Sequence, residues 1–177
     1  MMKELHTTEE LKKFNCMGYA FGVVLWMNPR GAEFLSEWIE DECGGEVSDF
    51  AIACSLDNIV DNMLEDYPGL EIVSDISIVP LEKEVMAFRI IINPDDVKKH
   101  DFHFKVRRNG VWTEKDGDKG SHECDLIPNK PWNISDFQNG IWSDIVYLAW
   151  NERLSRDEIE KAIALNIDGH SVVDLNK

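Results

Sequence analysis

Four cysteines, at positions 16, 43, 54 and 124, are the candidate nucleophiles of this sequence. A thiol attacks a carbonyl carbon at neutral pH when its thiolate is stabilised, and the start of a helix is one place where this happens. Cys16 follows Asn15, a residue type that caps helices, and it opens an apolar stretch. We therefore take Cys16 as the candidate nucleophile, although its position also suits a small apolar residue of the core.

A cysteine nucleophile needs a base, and His103 is the best candidate among the five histidines. It lies between Phe102 and Phe104, so on a strand the histidine and the two phenylalanines would point to opposite faces. A histidine on a strand is commonly just a half-exposed polar residue. A cysteine at a helix start followed by a later histidine on a strand is, however, the pattern of thiol catalysis.

A third polar residue usually orients the imidazole of such a pair. Glu114 lies across the Asn109-Gly110 dipeptide from His103, on what we predict to be the partner strand of a hairpin. His122 is the alternative, if the segment that follows the hairpin folds back over the cleft. The sequence does not choose between the two.

Helices are predicted to position the nucleophile, over about residues 7–67. Thr7 and Thr8 begin a short helix because a threonine oxygen can cap free amides. The apolar run over 16–27 contains Gly18 and Gly22, and we interpret it as one buried helix with close-packed glycines. Apolar residues at helical spacing predict two more helices, over 30–43 and 48–67.

Strands are predicted to position the base, over about residues 70–150. Asn109-Gly110 supplies the positive φ angles of a two-residue hairpin turn. The strands are expected at 70–79, 85–92, 101–108, 111–114 and 141–150, with a long loop over 115–140 and a last helix over 155–165. This order predicts one α+β domain over residues 1–177, with helices first and an antiparallel sheet second.

Two segments resemble the signature segments of small bacterial and phage proteins with a papain-like fold. They are Asn15-Cys16-Met17-Gly18-Tyr19-Ala20 and the stretch from Asp101 to Gly117, which contains His103, Asn109-Gly110 and Glu114. The proteins concerned are broadly akin to NlpC-type and CHAP-type amidases and peptidases. The resemblance implies a papain-like fold with Cys16 as the nucleophile, His103 as the base and Glu114 as the third residue. Met17 and Glu114 differ from the Tyr and His that are common in those segments.

The same resemblance implies a peptide or a peptidoglycan-like compound as substrate. We expect four residues near the proposed site to contact it: Asn15, Tyr19, Trp112 and Trp132. Five basic residues interrupt the acidic background near His103, namely Lys98, Lys99, Lys105, Arg107 and Arg108. They predict a basic strip beside the cleft, suited to a substrate with carboxylates.

The composition excludes other classes of function. With 34 Asp and Glu against 18 Lys and Arg, the formal net charge of −16 would repel nucleic acid and anionic membranes. The N-terminus lacks the pattern of a signal peptide and the cysteines lack the spacing of a disulfide framework, so we expect a cytoplasmic protein. We expect no cofactor and no metal site, because neither His122-Glu123-Cys124 nor Asp116-Gly117-Asp118 has the ligand spacing of a zinc or calcium site.

Two functions remain from the sequence. The first is a cysteine hydrolase that cleaves an amide bond through Cys16 and His103. The alternative is a non-catalytic acidic adaptor or inhibitor on the same scaffold, whose charge binds a basic protein partner.

Overall fold

The computed structural model describes residues 8–117, 119–126, 132 and 139–167. Within these ranges the chain is α+β, as predicted, with five α-helices and an antiparallel sheet of seven strands. The helices are α1 (Thr8–Leu11), α2 (Cys16–Phe21), α3 (Leu35–Cys43), α4 (Asp49–Asp66) and α5 (Arg156–Ile167). The strands are β1 (Leu70–Ile72), β2 (Val85–Ile92), β3 (His100–Arg108), β4 (Val111–Lys115), β5 (Ser121–Glu123), β6 (Ile141–Trp142) and β7 (Val146–Trp150).

Helix α2 is shorter than predicted, and its glycines explain why. Gly22 adopts a left-handed conformation with φ of 73°, and its N–H donates to the carbonyls of Gly18 and Tyr19, which ends the helix at Phe21. A Cβ on Gly18 would lie 2.0 Å from the carbonyl oxygen of Leu25. The single helix predicted over 16–27 is therefore wrong, because the chain turns at Gly22 and residues 23–25 pass back over Gly18.

The longest helix, α4, provides much of the apolar surface that packs against the sheet. Ser48 caps it by accepting a hydrogen bond from the N–H of Ala51, as the predicted start required. Its buried residues recur at a spacing of three and four, and they include Ile52, Leu56, Ile59 and Met63. In the described ranges, no helix has the length and apolar character needed to cross a membrane.

The sheet has the order β1-β7-β2-β3-β4-β5, with β6 also paired to β2. Strands β3 and β4 form the predicted hairpin, in which Asn109 and Gly110 have φ values of 50° and 79°. The predicted strand over 70–79 ends at Ile72 and gives way to a 3₁₀ turn over Ile76–Ile78. The strand predicted over 141–150 is divided into β6 and β7, and Ser143 between them bonds to the backbone of β2.

The loop predicted over 115–140 contains an additional strand. Strand β5 pairs with β4, with His122 opposite Glu114. Its three side chains are exposed and it lies at the edge of the sheet, so it lacks the apolar alternation by which a strand is recognised in a sequence. Residues 118, 127–131 and 133–138 of that predicted loop lie outside the described residues.

The two faces of the sheet differ in chemistry. Phe104 and Val106 of β3 belong to the apolar core together with α2 and α4. His103, Lys105 and Arg107, which alternate with them, are 3%, 5% and 5% exposed. The register places Arg89 of β2 opposite His103 and Glu114 of β4 opposite Lys105, so one face of the sheet buries a row of charged and polar groups.

Candidate active site

The imidazole of His103 is buried beside a carboxylate and close to a thiol. Its Nε2 lies 2.8 Å from Oε2 of Glu114 on the neighbouring strand. Cys16 lines the same cleft as the ring and is close enough to it to raise its pKa. The structure therefore brings together the three residues that the sequence analysis selected as nucleophile, base and third residue.

Cys16 owes its place to the start of helix α2. The side chain of Asn15 caps that helix by accepting a hydrogen bond from the N–H of Gly18, and it also bonds to the backbone of Met27. Cys16 is only 6% exposed, yet it lines the same cleft as His103. It belongs to the apolar core as well, so the core position that the sequence allowed is confirmed, and its role as a nucleophile stays a prediction.

Both ends of the segment that carries Cys16 are held by buried or half-buried cations. The ammonium of Lys115, with a fully buried side chain, donates to the carbonyl oxygens of Leu11 and Phe14 just before the helix. At the other end, Arg108 donates to the carbonyls of Tyr19 and Ala20. Cations suit a helix C-terminus, because its carbonyl groups carry partial negative charge. These contacts fix the position of Cys16 relative to the sheet.

Glu114 links His103 to a wider polar network. Its Oε2 lies 3.7 Å from Nζ of Lys105, and its Oε1 lies 3.3 Å from Nε2 of His122. Burial acts to raise the pKa of Glu114, but the hydrogen bond from His103 and the nearby positive charges outweigh it and lower that pKa. Glu114 is therefore a carboxylate at neutral pH, and it is the residue to which both candidate histidines are joined.

The electrostatics of this network favour a protonated His103. Burial alone would lower the pKa of the imidazole, but the hydrogen bonds and charges of Cys16 and Glu114 outweigh burial and raise that pKa to about 10. A proton on His103 makes both ring nitrogens donors, and one of them bonds to Glu114. The positive charge of the imidazolium is thus held beside a carboxylate, in a cleft that Cys16 also lines.

A cleft of about 170 Å³ opens onto Cys16 and His103. Its walls include the aromatic rings of Trp26 and Phe102 and the carboxylates of Asp101 and Asp116. One Oδ of Asp116 is 3.6 Å from Nε2 of His103. The nucleophile and its base are therefore accessible to a small part of a substrate rather than sealed in the core.

Comparison with protein-family models, with curated proteins and with solved structures found no match to this chain. The chemistry of the site consequently has to be argued from its own geometry.

The residues predicted to contact a substrate have different positions. Asn15 lines the cleft, although its side chain is already bonded to the backbone. Tyr19 and Trp112 are not among the residues that line the cleft: the Tyr19 hydroxyl donates to Thr113, and the Trp112 ring packs against Tyr147. Trp132 is buried edge-on against His103, with the ring centroids 5.8 Å apart. Its role is to pack on the imidazole, and contact of these four residues with a substrate stays a prediction.

The predicted basic strip beside His103 is wrong for three of its five residues, while the other two, Lys98 and Lys99, are exposed. Lys105 and Arg107 are buried and donate to backbone carbonyls, and Arg108 is paired with Glu84 at 2.6 Å. Alternation along β3 could have placed Lys105 and Arg107 on the same face as His103. It could not show that this face is covered, because the covering segments are distant in sequence.

Three ligand groups lie close enough together to hold a metal ion. One nitrogen of His103 and one oxygen each from Glu114 and Asp116 lie within 4.8 Å of one another. The same atoms of His103 and Glu114 bond to each other, and Lys105 lies beside the carboxylate. The sequence expectation of no metal considered Asp116 only as part of Asp116-Gly117-Asp118 and did not combine it with His103 and Glu114. That expectation stays a prediction.

Sequence reasoning did not select Lys115 or Cys124. Lys115 lies at the end of β4, where a lysine normally indicates a solvated strand end, so nothing in its own pattern indicated burial. Burial, together with the nearby carboxylates of Glu114 and Asp125, raises the pKa of the Cys124 thiol to about 12. This thiol is therefore a neutral partner of the network rather than a second nucleophile.

Proposed function

We propose that this protein is a cysteine hydrolase of papain-like fold that cleaves an amide bond. The observation that carries the proposal is that Cys16 and His103 line one cleft, with His103 bonded behind it to Glu114 at 2.8 Å. The helix-then-sheet order, with the cysteine at a helix start and the histidine on a strand, supports a papain-like arrangement.

The proposed reaction begins when the Cys16 thiolate attacks the carbonyl carbon and forms a C–S bond. The imidazolium of His103 then gives its proton to the leaving amine as the C–N bond breaks, which leaves a thioester on Cys16. His103 next takes a proton from water, whose oxygen attacks the thioester. The C–S bond breaks, the carboxylic acid product leaves and the thiolate–imidazolium pair is restored.

The neighbouring groups have supporting roles in this scheme. Glu114 holds the ring of His103 and stabilises its positive charge through the 2.8 Å contact. The backbone N–H of Cys16 begins α2, where the first amides lack partners within the helix, so it is available to the oxyanion of the tetrahedral intermediate. A donor of that kind contributes roughly 10² to 10³ in rate at comparable sites.

The proposal is tested by labelling with iodoacetamide at about pH 6, followed by mass spectrometry of each cysteine-containing peptide. At that pH an ordinary thiol, with a pKa of about 8.5, is almost entirely protonated. We expect Cys16 to be labelled faster than Cys43 or Cys54, which serve as internal controls. Replacement His103→Ala should remove that advantage while leaving the controls unchanged.

Two results would count against thiol catalysis. One is equal labelling of Cys16, Cys43 and Cys54 in the folded protein. The other is a fast reaction of Cys16 that persists in the His103→Ala variant. Either result would favour the alternative of a non-catalytic acidic adaptor or inhibitor. That alternative is supported by residues 31–82, which include fourteen Asp and Glu and no Lys or Arg.

A further inference from the structure

The cleft beside Cys16 carries acidic groups on its walls. Asp101, at the beginning of β3, and Asp116, just after β4, both line it. Among the described residues that form these walls there is no Lys or Arg, and the imidazole of His103, which is bonded to Glu114, is the one group that can carry positive charge. A substrate that reaches Cys16 therefore passes between two carboxylates.

The cations nearest to the site are directed elsewhere. Lys105 donates to the carbonyl of Asp125 and lies 4.8 Å from the centre of the Trp132 ring. Lys115 donates to the carbonyls of Leu11 and Phe14. Neither lysine lines the cleft, and both ammonium groups are buried against backbone oxygens, so they are not available to bind a substrate there.

The rest of the molecule adds a field of the same sign. Helices α3 and α4 lie within residues 31–82, which have no Lys or Arg, and the whole chain has a formal net charge of −16. Clefts whose charged walls are mainly of one sign concentrate oppositely charged substrates and raise their association rates by roughly 10- to 10³-fold. The long-range field and the cleft walls thus favour the same class of substrate.

We infer that the site acts on amide bonds next to positively charged side chains, in Lys- or Arg-rich segments of peptides or proteins. This inference rests on the proposed hydrolase function and identifies its substrate class. The rings of Trp26 and Phe102 on the cleft walls suit the aliphatic stem of such a side chain, while Asp101 and Asp116 attract its charged end. Peptidoglycan stems, which carry several carboxylates, fit these walls less well.

Two thiol reagents of similar size and opposite charge test the inference directly. Trimethylammonium-ethyl and sulfonato-ethyl methanethiosulfonate each react with a thiolate to form an S–S bond and release methanesulfinate. Both need the same thiolate, so the ratio of their rates at Cys16 reports the local potential and not the amount of thiolate. Rates are measured at low ionic strength by mass spectrometry, with Cys43 and Cys54 in the same sample as references.

We expect the cationic reagent to react with Cys16 at least about tenfold faster than the anionic one, a larger ratio than at the reference cysteines. The double variant Asp101→Asn/Asp116→Asn should bring the Cys16 ratio down to that of the references. The matched control is Glu152→Gln/Asp157→Asn, which removes two exposed charges near α5 and should leave the Cys16 ratio high.

The outcomes separate the two proposals. Equal rates of the two reagents at Cys16, or a faster anionic reagent, would overturn the inference while leaving the hydrolase proposal intact, and the second result would favour carboxylate-bearing substrates such as peptidoglycan stems. No reaction of Cys16 with either reagent would overturn both. Fluorogenic peptide amides provide the second measurement, and cleavage should be fastest with Lys or Arg, slower with norleucine and slowest with Glu next to the cleaved bond.

Discussion

The two faces of strand β3 are buried to a similar degree but have opposite chemistry. Phe104 and Val106 are fully buried under the helices, whereas His103 and Lys105 on the other face are no more than 5% exposed. Burial of the first pair stabilises the fold without directional contacts. Burial of the second pair is tolerated only because each polar atom has a partner, so the charged face fixes geometry where the apolar face provides stability.

This difference explains why the site lies where it does. Each charged group on the second face has a defined neighbour: His103 has Cys16 and Glu114, and Lys105 has Glu114 and the carbonyl of Asp125. Proton transfer requires donor and acceptor in a fixed geometry, and several partners at fixed positions hold these side chains in place. The apolar face has the complementary task of supporting α2, which carries Cys16.

The largest expected effect is on the apolar face. Phe104 packs against the rings of Phe88 at 4.7 Å and Phe21 at 6.1 Å, so Phe104→Ala would leave a cavity beside α2. We expect the free energy of unfolding to fall by about 3–5 kcal/mol, as measured by urea denaturation. Phe104→Leu, which keeps most of the side-chain volume, should lower the free energy of unfolding by clearly less.

If Phe104→Ala lowers the free energy of unfolding by less than about 1 kcal/mol, as substitutions at surface sites do, then the apolar face does not provide the stability that we assign to it. The comparison is sharpened if the fraction of Phe104→Ala that stays folded still labels Cys16 at pH 6. That result would show that the apolar face contributes stability while the charged face sets the chemistry.

The fold was predictable where a local pattern decides it. The apolar spacing of α4, the Ser48 cap and the Asn109-Gly110 turn each specify their own structure, and each was found as predicted. The prediction failed where a distant contact decides, as at Gly22, where a glycine ends the helix and the Arg153 guanidinium packs close by. No sequence window of helical length contains both of those residues.

The site was predictable in its members but not in its surroundings. Cys16, His103 and Glu114 were selected from residue type and position. The structure bonds His103 to Glu114 and places Cys16 on the same cleft as His103. The burial of Lys105 and the acidic cleft walls were not foreseen, because charge in a sequence does not reveal which side chains are covered. The predicted preference for carboxylate-bearing substrates loses the support of Lys105 and Arg107 for that reason, and it stays a prediction.

An intermediate effect is expected from Glu114→Gln on the charged face. A hydrogen bond to a charged group is worth about 1.5–3 kcal/mol against about 1 kcal/mol for a neutral one, so activity should fall roughly tenfold. Because Glu114 raises the pKa of His103, its loss should lower that pKa. The alkaline limb of the pH–rate profile should therefore move to lower pH.

The control for Glu114→Gln is Glu123→Gln, the same substitution at an exposed position on strand β5. It should change neither the rate nor the profile. A Glu114→Gln profile that coincides with that of the unmodified protein would mean that Glu114 does not act through the imidazole of His103.

The smallest effect is expected from His122→Ala, and it decides between the two candidates for the third residue. His122 reaches only the outer oxygen of Glu114, at 3.3 Å, and its side chain is 50% exposed, so water can replace it. An exposed contact of this kind is worth about 0.2–1 kcal/mol, which is at most roughly a fivefold loss of activity. If His122→Ala instead loses as much as Glu114→Gln, with the same shift of the pH–rate profile, then His122 and Glu114 act on His103 as one unit. In that case the functional part of the charged face includes β5, the edge strand of the sheet, even though the side chain of His122 is half exposed.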